Sequence, residues 1–230
     1  MMGSNGVPTS DMRTELTIVE NDPEPLEPPV VTLPRSNGNG EATDKEAIEH
    51  DLVQQAIVFA VEHHAGQIRK EPINGFYMPF ISHPIQVMKM VWQWGAGTPV
   101  ALASAVCHDL LEDTDVTYSM LKRKLGRDVA DIVQELTHDE RAMSKSDYLQ
   151  KFAGSSRTAL IIKLADRFCN VADWHLTDQR YALKYFRKAT PLFKIMMARM
   201  DEIKRDSAPS VAGNIAIEYC RVSMLVGQHG

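Results

Sequence analysis

The chain is short of the features that would place it in a membrane or an oxidising compartment. No run approaches the roughly 18 apolar residues that a membrane-spanning helix needs. The start, MMGSNGVPTS, lacks the basic-then-apolar pattern of a secretory leader. A cytoplasmic protein with no membrane partner is the expectation. Cysteine is scarce: Cys107, Cys169 and Cys220 lie far apart, with no CxxC pair. That is no disulfide framework, and reduced thiols are expected. Cys107 and Cys169 stand in apolar runs, as small buried hydrophobes do. Excess positive charge is missing as well. With 25 Lys and Arg against 30 Asp and Glu, the formal net charge is −5. This argues against nucleic acid as a partner, because binders of the phosphate backbone carry a basic surface. Alternating strand-like runs and internal repeats are also lacking.

What is present falls into two parts. Residues 1–43 are rich in Pro, Gly, Asn, Ser and Glu, with PEPLEPP and SNGNG among them. Such a segment buries too little apolar surface to offset its ordering entropy, and a disordered tail is expected. Residues 44–230 read as one all-α helical bundle. Asp44 is placed to cap a helix that ends before Gly66. Ser82-His83-Pro84 marks a second start and Thr98-Pro99 a third, since proline suits the first helical position. Thr117 caps a short helix ending at Gly126, and another runs through Val129, Val133 and Leu136. Ser155 or Ser156 opens a long helix through Val171, followed by segments from about 178 to 203 and 209 to 226.

The third helix reads PVALASAVCHDLLEDTD and carries no charge from Gly95 to Cys107. A helix apolar all round is a buried helix. It then delivers His108, Asp109, Glu112 and Asp113, which three- and four-residue spacing sets on adjacent parts of one face. Acidic groups massed at a helix C-terminus oppose the macrodipole and repel one another. A divalent cation relieves both penalties; a wet helix end is the plainer alternative. Two partners favour the cation. His83, held by Pro84, can offer one ring nitrogen while the other is oriented by an acceptor. Asp166 lies in the apolar run TALIIKLADRFCNVADW, where an isolated charge is costly, on one stripe with Lys163, Asn170 and Asp173; a surface pairing with Lys163 or Arg167 is its plainer reading.

His83, His108, Asp109 and Asp166 form a two-histidine, two-carboxylate set that suits Mn²⁺, Fe²⁺, Co²⁺ or Zn²⁺ better than Ca²⁺. Glu112 and Asp113, one turn further on, can orient or deprotonate a water and protonate a leaving oxygen. Arg69-Lys70 in HHAGQIRKEP can clamp phosphate oxygens or simply end a loop. His63 and His64 serve the site or merely pack.

With GQIRK at 66–70, ISHP at 81–84, HDLLEDT at 108–114 and KLADRFCN at 163–170, the chain resembles the HD-domain hydrolases of the RelA/SpoT family over about residues 45–205. The likeness is strongest to stand-alone small alarmone hydrolases of the metazoan SpoT-homologue kind. The resemblance implies an HD-type fold and Mn²⁺ on His83, His108, Asp109 and Asp166. It implies removal of the 3′-pyrophosphate from guanosine tetra- or pentaphosphate. Glu112 and Asp113 would serve the catalytic water, with Arg69, Lys70 and Asn170 facing the nucleotide. Phe80 stands where the family commonly has tyrosine, Leu110-Leu111 where Thr-Val is frequent. Two other readings share these residues: hydrolysis of another nucleotide (a dNTP, a nucleoside monophosphate or NADPH), and a nucleotide sensor without turnover. Assembly into a homo-oligomer is left open.

Overall fold

The chain folds as helices laid around two adjoining apolar clusters. The computed structural model describes residues 40–70, 72, 75–139, 141–176, 178–199 and 210–227, with 40–50, 145 and 210 described for the backbone only. Most of the segment expected to be a tail, residues 1–39, lies outside the described residues. The helices are α1 (Gly40–His63), α2 (Ser82–Gln93), α3 (Pro99–Val106), α4 (Leu110–Asp113), α5 (Tyr118–Leu125), α6 (Arg127–Leu136), α7 (Lys145–Gln150), α8 (Arg157–His175), α9 (Gln179–Ala198) and α10 (Ser210–Gly227). A single 3-10 turn, Lys151–Ala153, joins α7 to α8. The only pairing of strand type among the described residues is an isolated bridge, Ile68 to Pro79.

Local signals set most of the boundaries. The side chains of Thr98, Thr117, Ser156 and Asp178 each accept a backbone N–H in the first turn of the helix they precede, which satisfies a donor with no partner inside the helix. Gly66 ends the exit from α1 at φ 77, a left-handed conformation that favours glycine. Two expectations need correction. α1 starts at Gly40, so Asp44 is inside the helix rather than its cap; Glu41 and Ala42 are good helix formers and carry the helix past it. The segment after α6, where the sequence reading marks no helix, contains α7, capped by Ser144.

α3 is the spine. It packs against α1 on one side, α2 on the other and α6 beneath, while α8 lies along α9 and touches α2 and α10. Ala103 and Val106 of α3 join Phe59, Leu110, Leu121 and Val133 in one cluster. Ala101 and Ala105 join Val87, Leu160, Leu164 and Phe168 in the other. Small alanines let three helices approach a single axis closely, and each fully buried Leu, Ile or Phe around them contributes about 1.5–3 kcal/mol. Cys107 and Cys169 are buried and Cys220 is exposed, all three free. No helix among the described residues is long and apolar enough to cross a membrane.

Candidate active site

The chemistry gathers where α3 gives out. The expected single helix over HDLLED is two pieces: α3 stops at Val106, and Cys107 (φ −100, ψ 3) and Asp109 (φ −98, ψ −2) lead into the one-turn α4. The cause is local competition. The His108 ring Nδ1 donates to the carbonyl of Ala105 at 2.8 Å, the acceptor that a continued helix would give to the Asp109 N–H. Glu112 and Asp113 therefore sit in the first turn of α4 rather than at the C-terminus of α3. The conflict with the α3 dipole expected for them falls away.

With Nδ1 committed, His108 turns Nε2 and its lone pair inward. Its partners there are Asp109 Oδ2 at 3.1 Å and Asp166 Oδ1 at 4.0 Å. His83, 3% exposed at the start of α2, brings Nε2 to 3.3 Å from Asp166 Oδ1 and 3.9 Å from Asp109 Oδ2. Atoms bound about 2.1 Å from one ion stand about 3.0 Å apart when adjacent and about 4.2 Å when opposite in octahedral coordination. The four distances fall in that window. His108 Nε2, though near Asp109, makes no well-formed hydrogen bond, and a divalent ion would account for that; the acceptor expected for the second ring nitrogen of His83 is not found, since its Nδ1 is buried without a partner among the described residues. His83, His108 and Asp109 form a cluster with ligand atoms within 4.8 Å of one another; Asp166 stands beside that cluster rather than inside it, reaching His83 and His108. In the metal-free protein burial opposes ionisation of Asp109, yet a protonated His108 beside it, in place of the lone pair a metal would use, holds its carboxyl down at about 2. Burial likewise opposes ionisation of Asp166, and Lys163 and Arg167 overcome it, holding that carboxyl well below the usual range.

Asp166 is not in a surface pairing. It is 4% exposed, with Lys163 Nζ at 3.1 Å and Arg167 Nε at 3.9 Å from Oδ2. Asn170 Nδ2 donates to Oδ1 at 2.7 Å and to the Asp166 carbonyl at 2.9 Å. Asn170 thus orients the Asp166 carboxylate, while its own Oδ1 faces Arg69 Nη2 at 3.5 Å. Arg69 reaches α8 from the loop after α1 and pairs with Asp173 at 2.7 Å. Burial nonetheless leaves the Asp173 carboxyl above its ordinary value, outweighing Arg69.

These groups open on one cavity of about 510 Å³, lined also by Lys70, Phe80, Trp174 and Tyr185. His108 lies just behind its wall, 1% exposed. Glu112 and Asp113 stand on its side. Burial raises the Asp113 carboxyl to about 6, with Asp109 and Glu112 pushing the same way. Glu112 Oε1 accepts the backbone N–H of His138 at 2.5 Å. Of the two histidines left open by the sequence, His64 is buried against Phe80 and shares Nδ1 with Gln67 Oε1 at 2.9 Å, and Gln67 Nε2 donates to the Asp113 carbonyl at 2.8 Å. His63 instead packs on Phe59, with Asp115 3.7 Å away. Sequence reasoning missed Gln67, His138, Trp174 and Tyr185 as parts of this neighbourhood. Trp174 and Tyr185 come from different helices, and no spacing rule joins them.

No protein-family model matches the chain. Curated relatives do. The guanosine-3′,5′-bis(diphosphate) 3′-pyrophosphohydrolase MESH1 of Xenopus tropicalis is 34% identical over 180 residues, 70% of this chain and 97% of that one. MESH1 of Homo sapiens is 33% identical over 123 residues, 52% of this chain and 67% of that one. The bacterial guanosine-3′,5′-bis(diphosphate) 3′-pyrophosphohydrolase of Spiroplasma citri is 33% identical over 140 residues, 57% of this chain and 17% of that one. Among solved structures, a metazoan orthologue of SpoT described as hydrolysing ppGpp superposes with a TM-score of 0.62 at 24% identity, covering 76% of this chain and 96% of that one. That likeness supports the fold.

Proposed function

The chain belongs to the family of guanosine-3′,5′-bis(diphosphate) 3′-pyrophosphohydrolases that includes MESH1, and we propose that it removes the 3′-pyrophosphate of guanosine tetra- or pentaphosphate with Mn²⁺ as cofactor, yielding GDP or GTP and pyrophosphate. The observation that carries the reading is the close grouping of His83, His108 and Asp109, with Asp166 beside the two histidines, at a cavity that Arg69 and Lys70 also line. Mixed nitrogen and oxygen donors without thiolate suit Mn²⁺. An ion held there by His83, His108, Asp109 and Asp166 would supply Lewis acidity to a water and to a phosphoryl oxygen.

The residues of the chain divide the remaining work. Glu112 accepts the proton of the attacking water through the oxygen that His138 leaves open. Asp113, whose carboxyl is held above its ordinary value by burial and by the neighbouring carboxylates, is placed to give a proton to the departing 3′ oxygen. Arg69 and Lys70 offset phosphate charge, Arg69 by its fork and Lys70 as a point charge. Asn170 keeps the Asp166 carboxylate in its rotamer. The cavity is ample for a nucleotide, since small-molecule sites span about 300–1,000 Å³.

The decisive experiment is release of phosphate and pyrophosphate from a panel of nucleotides with added Mn²⁺, with Asp109→Ala as control. Pyrophosphate from ppGpp, abolished by Asp109→Ala, is the expected result. Release from dNTPs, a nucleoside monophosphate or NADPH with ppGpp untouched keeps the metal chemistry and discards the substrate. Tight binding of ppGpp without any turnover makes the protein a sensor.

A further inference from the structure

Glu112 sits on a one-turn helix with an exposed side chain. A free glutamate there would sample several rotamers, and fixing it costs side-chain entropy. What fixes it is the His138 N–H, which reaches Oε1 from 26 residues further along the chain. That amide serves Glu112 instead of a helix: the C-cap of α6 is Thr137, extended at φ −71, ψ 134, so His138 already lies beyond α6.

The segment that carries the donor is clamped on both sides. The Tyr148 hydroxyl donates to the Leu136 carbonyl. Lys151 Nζ donates to the Thr137 carbonyl at 2.9 Å. The His138 ring bonds the Met143 carbonyl at 3.1 Å and lies 4.6 Å from the Tyr148 ring. Tyr148, 3% exposed, is thus the post around which the turn is wound. Lys163, the partner of Asp166, stands 5.3 Å over the same ring.

We propose that His138 is a positioning residue for the reaction, acting through its backbone: its N–H, steadied by the braces of Tyr148 and Lys151 on Leu136 and Thr137, holds Oε1 of Glu112 so that only Oε2 is offered to the attacking water. The proposal rests on the assignment of Glu112 as the base. It gives α7 and the 3-10 turn a task, because they supply both braces.

The test uses proline as a deletion of one hydrogen. Proline at 138 removes the N–H and suits the extended Thr137 before it. Turnover of ppGpp with Mn²⁺ is measured for wild type, His138→Pro, Glu112→Gln and the double variant. A hydrogen bond to a charged acceptor corresponds to about 10- to 100-fold in rate. The expected result is a kcat for His138→Pro lower by about that factor with KM within about twofold, and no further loss when it is added to Glu112→Gln. His138→Ala, which keeps the N–H, recovers most of what proline removes. A merely structural role predicts the same loss in both backgrounds, and that outcome overturns the proposal. So does a slow Glu112→Gln beside an unimpaired His138→Pro. A Glu112→Gln variant as fast as wild type overturns the assignment of Glu112 itself, and this proposal with it. If His138→Pro does not fold, Lys151→Met decides: about a threefold loss of kcat that vanishes in the Glu112→Gln background supports the brace, and an equal loss in both backgrounds refutes it.

Discussion

Lys163 Nζ lies 3.1 Å from Oδ2 of Asp166 one helical turn further along α8, and both side chains are only 6% exposed. The carboxylate is thereby split in function: Oδ2 faces cations and Oδ1 faces the two imidazoles. Removing one member of a buried pair leaves the other uncompensated, at a cost of about 3–5 kcal/mol. Lys163→Met is expected to destabilise the fold by an amount of that order, read by urea denaturation. It is also expected to weaken Mn²⁺ binding, read by titration calorimetry. The sign of the pH effect follows. Lys163 holds the Asp166 carboxyl down, so its loss raises that pKa and moves the loss of metal affinity on acidification to higher pH.

Arg69 spans from the loop after α1 to Asp173 and Asn170 on α8. A substrate phosphate brought to it would meet a group already held in place. Arg69→Ala is expected to raise KM by about 10-fold while kcat changes less, the pattern of lost uniform binding. A fall in kcat with KM unchanged would instead assign Arg69 to the transition state.

Asp113 provides a pH signature. Burial, then Asp109, then Glu112 raise its carboxyl to about 6. In the metal-free protein its side-chain carbon resonance is expected to titrate near pH 6. Asp109→Asn removes one of the like charges, so the midpoint must fall. On the stability side, an acid with a raised folded pKa binds more protons folded than unfolded. Its favourable contribution is present below the unfolded pKa and is lost as pH rises to about 6. Asp113→Asn should flatten that part of the stability profile.

The structural boundary at Gly40 makes a truncation informative. Deleting residues 1–39 is expected to leave kcat, KM and melting temperature close to those of the full chain. A large loss of activity would assign those residues to the fold or the site.

Much of the bundle was legible because caps and apolar periodicity are local. Thr117 with Gly126, Ser156 and Asp178 mark helix ends that the structure keeps. That the four residues expected as metal ligands lie near one another was legible for another reason: imidazoles and carboxylates in apolar runs need polar partners, and His83, His108 and Asp109 gather with Asp166 beside the histidines. The break between α3 and α4 was hidden, because the contest between the His108 ring and the Asp109 amide for one carbonyl leaves no pattern in the residue types. Asn170 shared a stripe with Asp166, but spacing alone did not reveal that it bonds Asp166 itself. The tether from His138 to Glu112 uses a main-chain amide, which every residue but proline has, so no sequence signal marks it.

The site also straddles the seam of the molecule. His108 and Asp109 hang between Cys107 and Leu110, which belong to the cluster around α1, α5 and α6. His83 and Asp166 ride on α2 and α8, whose apolar faces build the other cluster. An ion held between them would be a rivet through two halves that α3, α6 and Met88 of α2 also join. Chelation should therefore do more than silence the enzyme. It should let the two halves lose their hydrogen-exchange protection at different denaturant concentrations, turning one cooperative unfolding event into two.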